Sequence, residues 1–200
     1  LAGPPSSGPA FRAMEPDQKQ AETPDVSIIV VSYNTKEMTL ECLRSIREQT
    51  TNRSFEVLFI DNDSSDGSFE AVREEFSDDA RYRIEASTEN LGFAGGNNHL
   101  TREARGRYLL LLNPDTVVLD RAIDQLCDFA ESRPENGIWG GRTVFSDQTL
   151  NPTNCWGWYG IWPQICSAFG LAFIRPGSRL FNPRAYPTWD RSGVREVGIV

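Results

Sequence analysis

Histidine is almost absent from this chain, and basic charge is in the minority. The 200 residues include one histidine, His99, and 20 lysines and arginines against 28 acidic residues, for a formal net charge of −8. A histidine-rich zinc site is therefore excluded, and a bound metal must be held by oxygen atoms, as Mg²⁺ and Mn²⁺ are. The acidic balance also argues against nucleic acid as a partner, because proteins that bind it carry a basic surface.

Cysteine is scarce as well, and the four residues show no C-x-x-C spacing. Cys42 and Cys127 fall on the apolar faces of predicted helices, so we expect buried thiols in a reducing compartment rather than a disulfide framework. No secretory signal is apparent, because residues 1–24 are rich in proline, serine and charge and hold no long apolar run. We expect a disordered N-terminal tail over 1–24 and a cytoplasmic protein.

Two glycine-rich motifs that cradle phosphates are missing after the first predicted strand. Neither G-x-G-x-x-G nor G-x-x-x-x-G-K-[ST] follows 26–31, which argues against a Rossmann dehydrogenase and against a P-loop enzyme. A carboxylate beside a diphosphate repels it unless a divalent cation lies between the two. Any diphosphate bound by this chain therefore calls for a cation rather than a glycine turn.

What the sequence does contain, from residue 26 onward, is an alternation of short apolar runs with helical periodicity. This alternation predicts an α/β fold with a mostly parallel, Rossmann-like sheet flanked by helices on both faces. We expect the leucine run at 108–112 to be a buried core strand, and Asn34 to cap the first helix with Glu37 as its reciprocal partner. Ser65 or Asp66 should cap the second helix. The predicted strands are 26–31, 55–60, 82–85 and 108–112.

The alternation fails after Arg133, where glycine, proline and tryptophan become frequent. We therefore expect an α/β core over 25–145, with further candidate strands at 137–141 and 142–145, and an irregular, aromatic-rich region over 146–200. The uncharged segment Cys155–Ile174 is long enough to span a bilayer, although glycines and a central proline interrupt it. A loop with a short helix packed on the domain is the favoured interpretation, a membrane-surface contact through Trp156–Trp162 is the second, and a span is the third.

Polar residues follow the ends of three predicted strands, where ligands bind in open parallel sheets. They are Ser32-Tyr33-Asn34, Asp61-Asn62-Asp63 and Asn113-Pro114-Asp115. Asp61 would suit a base N–H, Tyr33 would suit the face of a base, and Asp115 would suit a cation that phosphate oxygens also coordinate. The alternative for Asp61, Asp63 and Asp115 is a role in turns or helix caps. A glycine-rich stretch, ENLGFAGGNN, would let a nucleotide approach the backbone closely.

Four stretches, in this order, resemble the family 2 glycosyltransferases of GT-A fold: VSIIVVSYNTKEMTLECLRSI, EVLFIDNDSSDGS, ENLGFAGGNN and YLLLLNPDTVV. Asn-Pro-Asp, in place of the Asp-x-Asp of other members, resembles the rhamnosyltransferase-like branch. The resemblance runs from about Val26 to the end of the chain. The final REVGIV reads as a strand just beginning, so we expect the domain to be cut short there.

The resemblance implies an inverting transfer of a sugar, from dTDP-rhamnose or a UDP-sugar, to a hydroxyl of a glycan or lipid-linked acceptor. The setting would be cell-surface polysaccharide or cell-wall biosynthesis, at the cytoplasmic face of the membrane. Asp115 would bind Mg²⁺ or Mn²⁺ on the diphosphate, and the catalytic base is expected beyond residue 200. The residues that would bind the donor nucleotide are Ser32, Tyr33, Asn34, Asp61, Asn90, Gly92, Asn98 and Asn113.

Other functions remain open from the residues alone. A Mg²⁺-dependent phosphatase of the haloacid-dehalogenase type would use Asp61 as nucleophile and Asp63 as acid and base, but its motif should follow the first strand. A sugar-phosphate nucleotidyltransferase should open with a glycine-rich basic loop, which SYNTKE is not. A catalytically incomplete module that only binds a nucleotide sugar is the non-enzymatic alternative.

Overall fold

The computed structural model describes residues 23–151, 155–157, 160–186, 189 and 193–198. Strands and helices alternate through residue 132, as the sequence pattern predicts, and two short helices follow. The expected disordered tail lies, except for its last two residues, outside the described residues. The elements are β1 (Val26–Ser32), α1 (Lys36–Gln49), β2 (Phe55–Asp61), α2 (Ser68–Phe76), β3 (Tyr82–Ala86), α3 (Gly92–Thr101), β4 (Tyr108–Leu112), α4 (Ala122–Ser132), α5 (Ile161–Ala168) and α6 (Leu171–Ile174).

The four strands form one parallel sheet in the order β3-β2-β1-β4. β1 and β2 occupy the centre and are buried along their whole lengths, which suits their continuous β-branched and aromatic runs. β1, β2 and β3 are each followed by a helix that returns the chain to the start of the next strand, as parallel pairing requires. The predicted α/β fold with a parallel sheet is confirmed.

Helices cover both faces of the sheet, as predicted. On one face the apolar side chains of α1, α2 and α4 pack against Val26, Ile28 and Val30 of β1 and their neighbours in β2. On the other face, α3 packs through Leu100 on the alternate side chains of the same two strands. Gly96 brings α3 close to the sheet, because a Cβ at this position would lie 2.8 Å from a Val31 methyl carbon.

The prediction that the leucine run is a buried core strand was wrong. Among the described residues, β4 lies at the edge of the sheet and pairs with β1 alone. Leu110 and Leu112 pack on the core, whereas Leu109 and Leu111 remain 45% and 49% exposed. The reason is that α3 packs on β1 and β2 and leaves the same face of β4 uncovered. Four leucines in succession carry no periodicity that could have revealed this.

The predicted cap of α1 by Asn34 was also wrong. Asn34 adopts a left-handed backbone conformation (φ 52°), and the helix begins two residues later, at Lys36. The Asp66 carboxylate accepts a hydrogen bond from the backbone N–H of Lys36 at 3.0 Å and another from that of Ser68, also at 3.0 Å. Asp66 therefore binds the first residues of both α1 and α2, but the N-cap position of α2 is Gly67, so the prediction that Ser65 or Asp66 occupies it was wrong by at least one residue.

Regular structure is sparse after α4. The candidate strands at 137–141 and 142–145 do not form, and an isolated antiparallel bridge between Val144 and Leu150 stands in their place. The uncharged segment Cys155–Ile174 contains α5 and α6, and no helix in the described part of the chain is long and apolar enough to cross a membrane. The four cysteines are free and buried, as expected of the thiols on the helices. The domain boundary at residue 145 stays a prediction.

Candidate functional site

The four strands end along one edge of the sheet, which we call the carboxyl edge, at Ser32, Asp61, Ala86 and Leu112. Ser32 is paired in register with Asp61, and Asp61 with Ala86. The loops that leave these residues therefore meet at the carboxyl edge, where an open parallel sheet binds its ligands. This is where the sequence placed the polar residues that follow the strands.

The loop after β1 presents one aromatic side chain to solvent. The hydroxyl of Ser32 is buried and shares hydrogen bonds with the hydroxyls of Thr35, at 3.0 Å, and Thr39, at 2.9 Å. Ser32 is thus positioned to shape the turn rather than to reach outward. Tyr33, the next residue, is half-exposed at the carboxyl edge.

Asn34 joins this loop to the one after β2. Its backbone N–H donates to the Ser64 hydroxyl at 2.8 Å, and its side-chain oxygen accepts from the backbone N–H of Ser65 at 2.8 Å. Asparagine tolerates the left-handed conformation seen here better than most residues. The two loops are therefore held together, with Tyr33 beside them.

Asp61 is the most unusual group at the carboxyl edge. It is 2% exposed, and one carboxylate oxygen accepts a hydrogen bond from the backbone N–H of Ser64 at 2.8 Å. The other oxygen, Oδ1, is buried and has no hydrogen-bond partner within the described structure. Buried acceptors nearly always have a partner, because an unmet one is costly. The arrangement fits a ligand that brings its own N–H donor.

Asn62, which sequence reasoning did not select as a binding residue, organises the loop before α3. It is buried, its amide nitrogen donates to the Asn90 side-chain oxygen at 2.7 Å, and its amide oxygen accepts from the backbone N–H of Leu91 at 2.8 Å. The Asn90 oxygen also accepts from the backbone N–H of Gly92 at 2.8 Å. The only signal in the sequence was an asparagine directly after a strand end.

The structure does not hold all the predicted residues of this stretch together. Asn90 and Gly92 lie at the start of α3, next to Asn62. Asn98 is exposed and lies six residues further along the helix, about 9 Å away at the usual rise per residue. A donor contact by Asn98 stays a prediction.

Asp115 lies in a tight turn after β4. The carbonyl oxygen of Asn113 accepts hydrogen bonds from the backbone N–H of Thr116, at 3.2 Å, and from its hydroxyl. Pro114 fixes its own φ inside this turn. Asn113 and Asp115 are exposed, and no hydrogen bond or ion pair from the described residues engages the Asp115 carboxylate. A single free carboxylate suits a cation that takes its other ligands from phosphates and water, as Mg²⁺ commonly does.

Cys42 lies beneath this turn and is not a nucleophile. Its Sγ lies 3.7 Å from the Asn113 carbonyl oxygen. Burial, together with the negative charge of Asp115, raises the pKa of Cys42 to about 12, although a hydrogen bond with Thr116 acts in the opposite direction. The thiol therefore stays protonated at neutral pH and adds no charge next to Asp115.

A second group of potential metal ligands lies elsewhere. Single ligand atoms of Glu85, His99 and Glu103 fall within 4.8 Å of one another. Glu85 already contacts the His99 ring at 2.8 Å, and Glu103 is paired with Arg83. Glu85 lies on β3, and β3 and β4 are opposite edges of the sheet. This group therefore does not belong with Asp115.

Comparisons with known proteins identify the family of this chain. The model of the family described as Glycosyl transferase family 2 matches residues 27–197. One similar protein is the O-antigen biosynthesis protein RfbC of Myxococcus xanthus, which is 31% identical over 85% of this chain and 13% of its own length. Another is the putative glycosyltransferase EpsH of Bacillus subtilis strain 168, which is 32% identical over 63% of this chain and 36% of its own length.

Among solved structures, the mannosyltransferase PcManGT of Pyrobaculum calidifontis, in complex with GDP-Man and Mn²⁺, is similar. It superposes with a TM-score of 0.50 at 26% identity, over 55% of this chain and 33% of its own. The chain thus spans less than half the length of each of these proteins. With most of its residues matched by the family model, the chain belongs to glycosyl transferase family 2, and its parallel α/β sheet is of the GT-A type.

Proposed function

We propose that the protein transfers a sugar from a nucleoside-diphosphate donor to an acceptor hydroxyl and that the carboxyl edge binds the donor. The observation that carries this proposal is the buried Oδ1 of Asp61, which lacks a partner in the described structure and lies one strand from Tyr33. Uracil, thymine and guanine each present a ring N–H that could meet this oxygen. The half-exposed Tyr33 would pack on the face of the same base.

The diphosphate would lie toward β4, on the other side of β1. Asp115 is exposed there and would hold a Mg²⁺ or Mn²⁺ ion together with the phosphate oxygens, and the exposed Asn113 would contact the donor. When bound, this ion would neutralise charge on the leaving diphosphate as the sugar departs. Asp115 serves as the ligand and Tyr33 and Asp61 orient the base, so that the sugar is presented beyond the carboxyl edge. The catalytic base is not assigned to any residue of this chain.

The names of two relatives support the substrate class. RfbC is named an O-antigen biosynthesis protein, and PcManGT was solved with GDP-Man and Mn²⁺. We infer that the acceptor is a glycan or a lipid-linked precursor of a cell-surface polysaccharide and that transfer takes place in the cytoplasm. The Asn-Pro-Asp motif favours dTDP-rhamnose as the donor, with a UDP-sugar as the alternative.

The phosphatase alternative fits the structure poorly. The Asp61 motif follows β2, whereas the phosphatase motif should follow the first strand. One oxygen of Asp61 is also bound by the backbone N–H of Ser64. A module that only binds the donor would have the same donor site as the enzyme, so a measurement of sugar transfer must distinguish the two.

Calorimetric titration with UDP, dTDP and GDP, with and without Mn²⁺, tests the proposal. We expect at least one nucleotide to bind and Mn²⁺ to strengthen its binding about tenfold or more, because the cation relieves repulsion between carboxylate and diphosphate. Asp115→Asn should abolish the Mn²⁺-dependent part and leave the weaker binding seen without metal. Asp120→Asn, at an exposed acid of the same loop, is the matched control and should change nothing.

Three outcomes separate the alternatives. If none of the three nucleotides binds in the presence of Mn²⁺, the proposal is wrong. Turnover of an aryl phosphate that disappears in Asp61→Asn would favour the phosphatase. Donor binding without any sugar transfer or donor hydrolysis would identify a binding module.

A further inference from the structure

Large apolar side chains are exposed on α5, on α6 and at Phe169 between them. Large apolar side chains at every fourth position are turned to solvent: Ile161 is 82% exposed, Phe169 74% and Phe173 91%. We call this set, together with Ile165 and Ile174, the apolar ridge. Single exposed apolar residues are ordinary, but this set of five large ones between residues 161 and 174 favours a surface that contacts a partner or a membrane.

Contacts with the Leu180 carbonyl oxygen hold α5 in place. The Trp162 indole N–H donates to the Leu180 carbonyl oxygen at 2.7 Å, and the buried Cys166 places its Sγ 3.5 Å from the same oxygen. Gly170, with a φ of 66°, turns the chain between the two helices. Since α5 is anchored on one side, its exposed side chains are held outward by the structure.

The charge around the apolar ridge is opposite to that of the rest of the protein. No acidic residue occurs between Asp147 and Asp190, whereas three arginines fall in this interval, Arg175, Arg179 and Arg184. The whole chain carries a formal charge of −8, so the remainder carries −11. Arg175 directly follows Ile174, and both Arg175 and Arg179 are exposed. Apolar side chains with adjacent cationic groups are the pattern of helices that lie in the interface of an anionic membrane.

We propose that the apolar ridge inserts into the surface of an anionic lipid bilayer, with Arg175 and Arg179 at the level of the headgroups. A second copy of this chain suits the surface less well, because two-fold pairing would bring the arginines of both copies together. The contact also differs from the one expected at Trp156–Trp162. Trp156 is partly buried and its ring centroid lies 5.6 Å from the guanidinium carbon of Arg184, and Trp158 and Tyr159 lie outside the described residues.

Vesicle flotation tests the proposal directly. The protein should float with vesicles of phosphatidylcholine and phosphatidylglycerol, and much less with phosphatidylcholine alone, and high salt should weaken the binding. Phe169→Ser/Phe173→Ser should lower partitioning at least about tenfold. Arg175→Gln/Arg179→Gln should lower it about twentyfold on anionic vesicles, since each arginine near such a surface contributes about fivefold, and should not alter it on neutral ones.

A matched pair of single substitutions supplies the control. Ile161→Ser removes an isoleucine that is 82% exposed on the ridge, and Ile138→Ser removes one that is 79% exposed elsewhere. Only the first should reduce flotation, and neither should alter nucleotide binding. Absence of enrichment on anionic vesicles would overturn the proposal, as would flotation that the ridge substitutions leave unchanged. Self-association that these substitutions abolish, without any vesicle binding, would assign the ridge to a second copy instead.

Discussion

Two buried carboxylates on the same strand, Glu56 and Asp61, differ in whether both of their oxygens have hydrogen-bond partners. Glu56, 4% exposed, lies at the end where the strands begin, which we call the amino edge. It accepts hydrogen bonds from the Ser27 hydroxyl at 2.6 Å and from the backbone N–H of Arg105 at 2.7 Å, and the Arg105 guanidinium binds its other oxygen at 2.6 Å. Asp61, at the carboxyl edge, has one oxygen bound and the other without a partner in the described structure.

The two edges also differ in how closely the backbone is packed. At the amino edge the chain is closed tightly, because a Cβ on Gly106 would lie 2.3 Å from the backbone nitrogen of Ser27. At the carboxyl edge, a Cβ on Gly92 would meet nothing within 4 Å. Glu56 is thus fully paired beside a tightly closed backbone, whereas Asp61 keeps an oxygen without a described partner at the edge where the backbone is open. We infer that the amino edge stabilises the fold and the carboxyl edge binds the substrate.

The largest effect is expected at the amino edge. Glu56→Ala should lower the free energy of unfolding by about 3 kcal/mol, because it leaves the Ser27 hydroxyl and the Arg105 N–H without their acceptor and breaks an ion pair. Nucleotide affinity of the folded protein should be unchanged. Denaturant titration and calorimetry measure the two quantities. Weakened nucleotide binding in the folded variant would refute the separation of the two edges.

Asp61→Asn should show the reverse pattern. Nucleotide affinity should fall about thirtyfold, or about 2 kcal/mol, because a neutral amide replaces the charged acceptor for the base N–H. The free energy of unfolding should change by less than about 1 kcal/mol, since the amide oxygen can still accept from Ser64. Asp63→Asn, at an exposed neighbour, is the control. A loss of stability as large as that of Glu56→Ala would make Asp61 a structural residue.

Lowering the pH should remove the contribution of Glu56 to the free energy of unfolding. Burial opposes ionisation of Glu56, but the hydrogen bonds from Ser27 and Arg105 and the charge of Arg105 outweigh it, so the pKa of Glu56 is lowered on folding. Its stabilising contribution is therefore present above the unfolded pKa, about 4.3, and is lost as the pH falls through the folded pKa. The gap in unfolding free energy between wild type and Glu56→Gln should narrow below about pH 4.

Other carboxyls do not affect the difference in unfolding free energy between wild type and Glu56→Gln. Their folded pKa values are also lowered, but both proteins contain them, so their effects cancel in the difference. Denaturant titrations at several pH values measure it, and a gap that stays constant down to about pH 2 would contradict the role given to Glu56. The shared carboxyls are Asp25, Asp66, Glu75, Asp79, Glu131 and Asp147.

The order of strands and helices could be predicted because each signal was local. Short β-branched runs and helical periodicity gave β1 to β4 and α1 to α4 with small errors at their ends. The exposure of Leu109 and Leu111 could not be predicted in this way, since it depends on which strands α3 covers. The same holds for 137–145, where apolar residues in a glycine-rich stretch form no ladder.

The positions of the candidate binding residues were also predictable in part. Asp61, Tyr33 and Asp115 follow strand ends, and that position alone placed them at the carboxyl edge. The pairs that fix the loops were not predictable, because Asn62 and Asn90, like Asn34 and Ser65, are about thirty residues apart in sequence. Their partners are set by the pairing of β1, β2 and β3, which brings separate loops together.

The smallest of the predicted effects is expected from a substitution at Gly92. Its φ of 69° is a left-handed conformation, so Gly92→Ala should lower the free energy of unfolding by about 1 kcal/mol through backbone strain alone. Gly137→Ala, where φ is not left-handed and a Cβ also meets nothing, should be neutral or slightly stabilising. Because the N–H of Gly92 is bound by Asn90, the strain should also weaken nucleotide binding a few-fold in calorimetry. Unchanged affinity would place the start of α3 outside the donor site and leave Asp61, Tyr33 and Asp115 as its core.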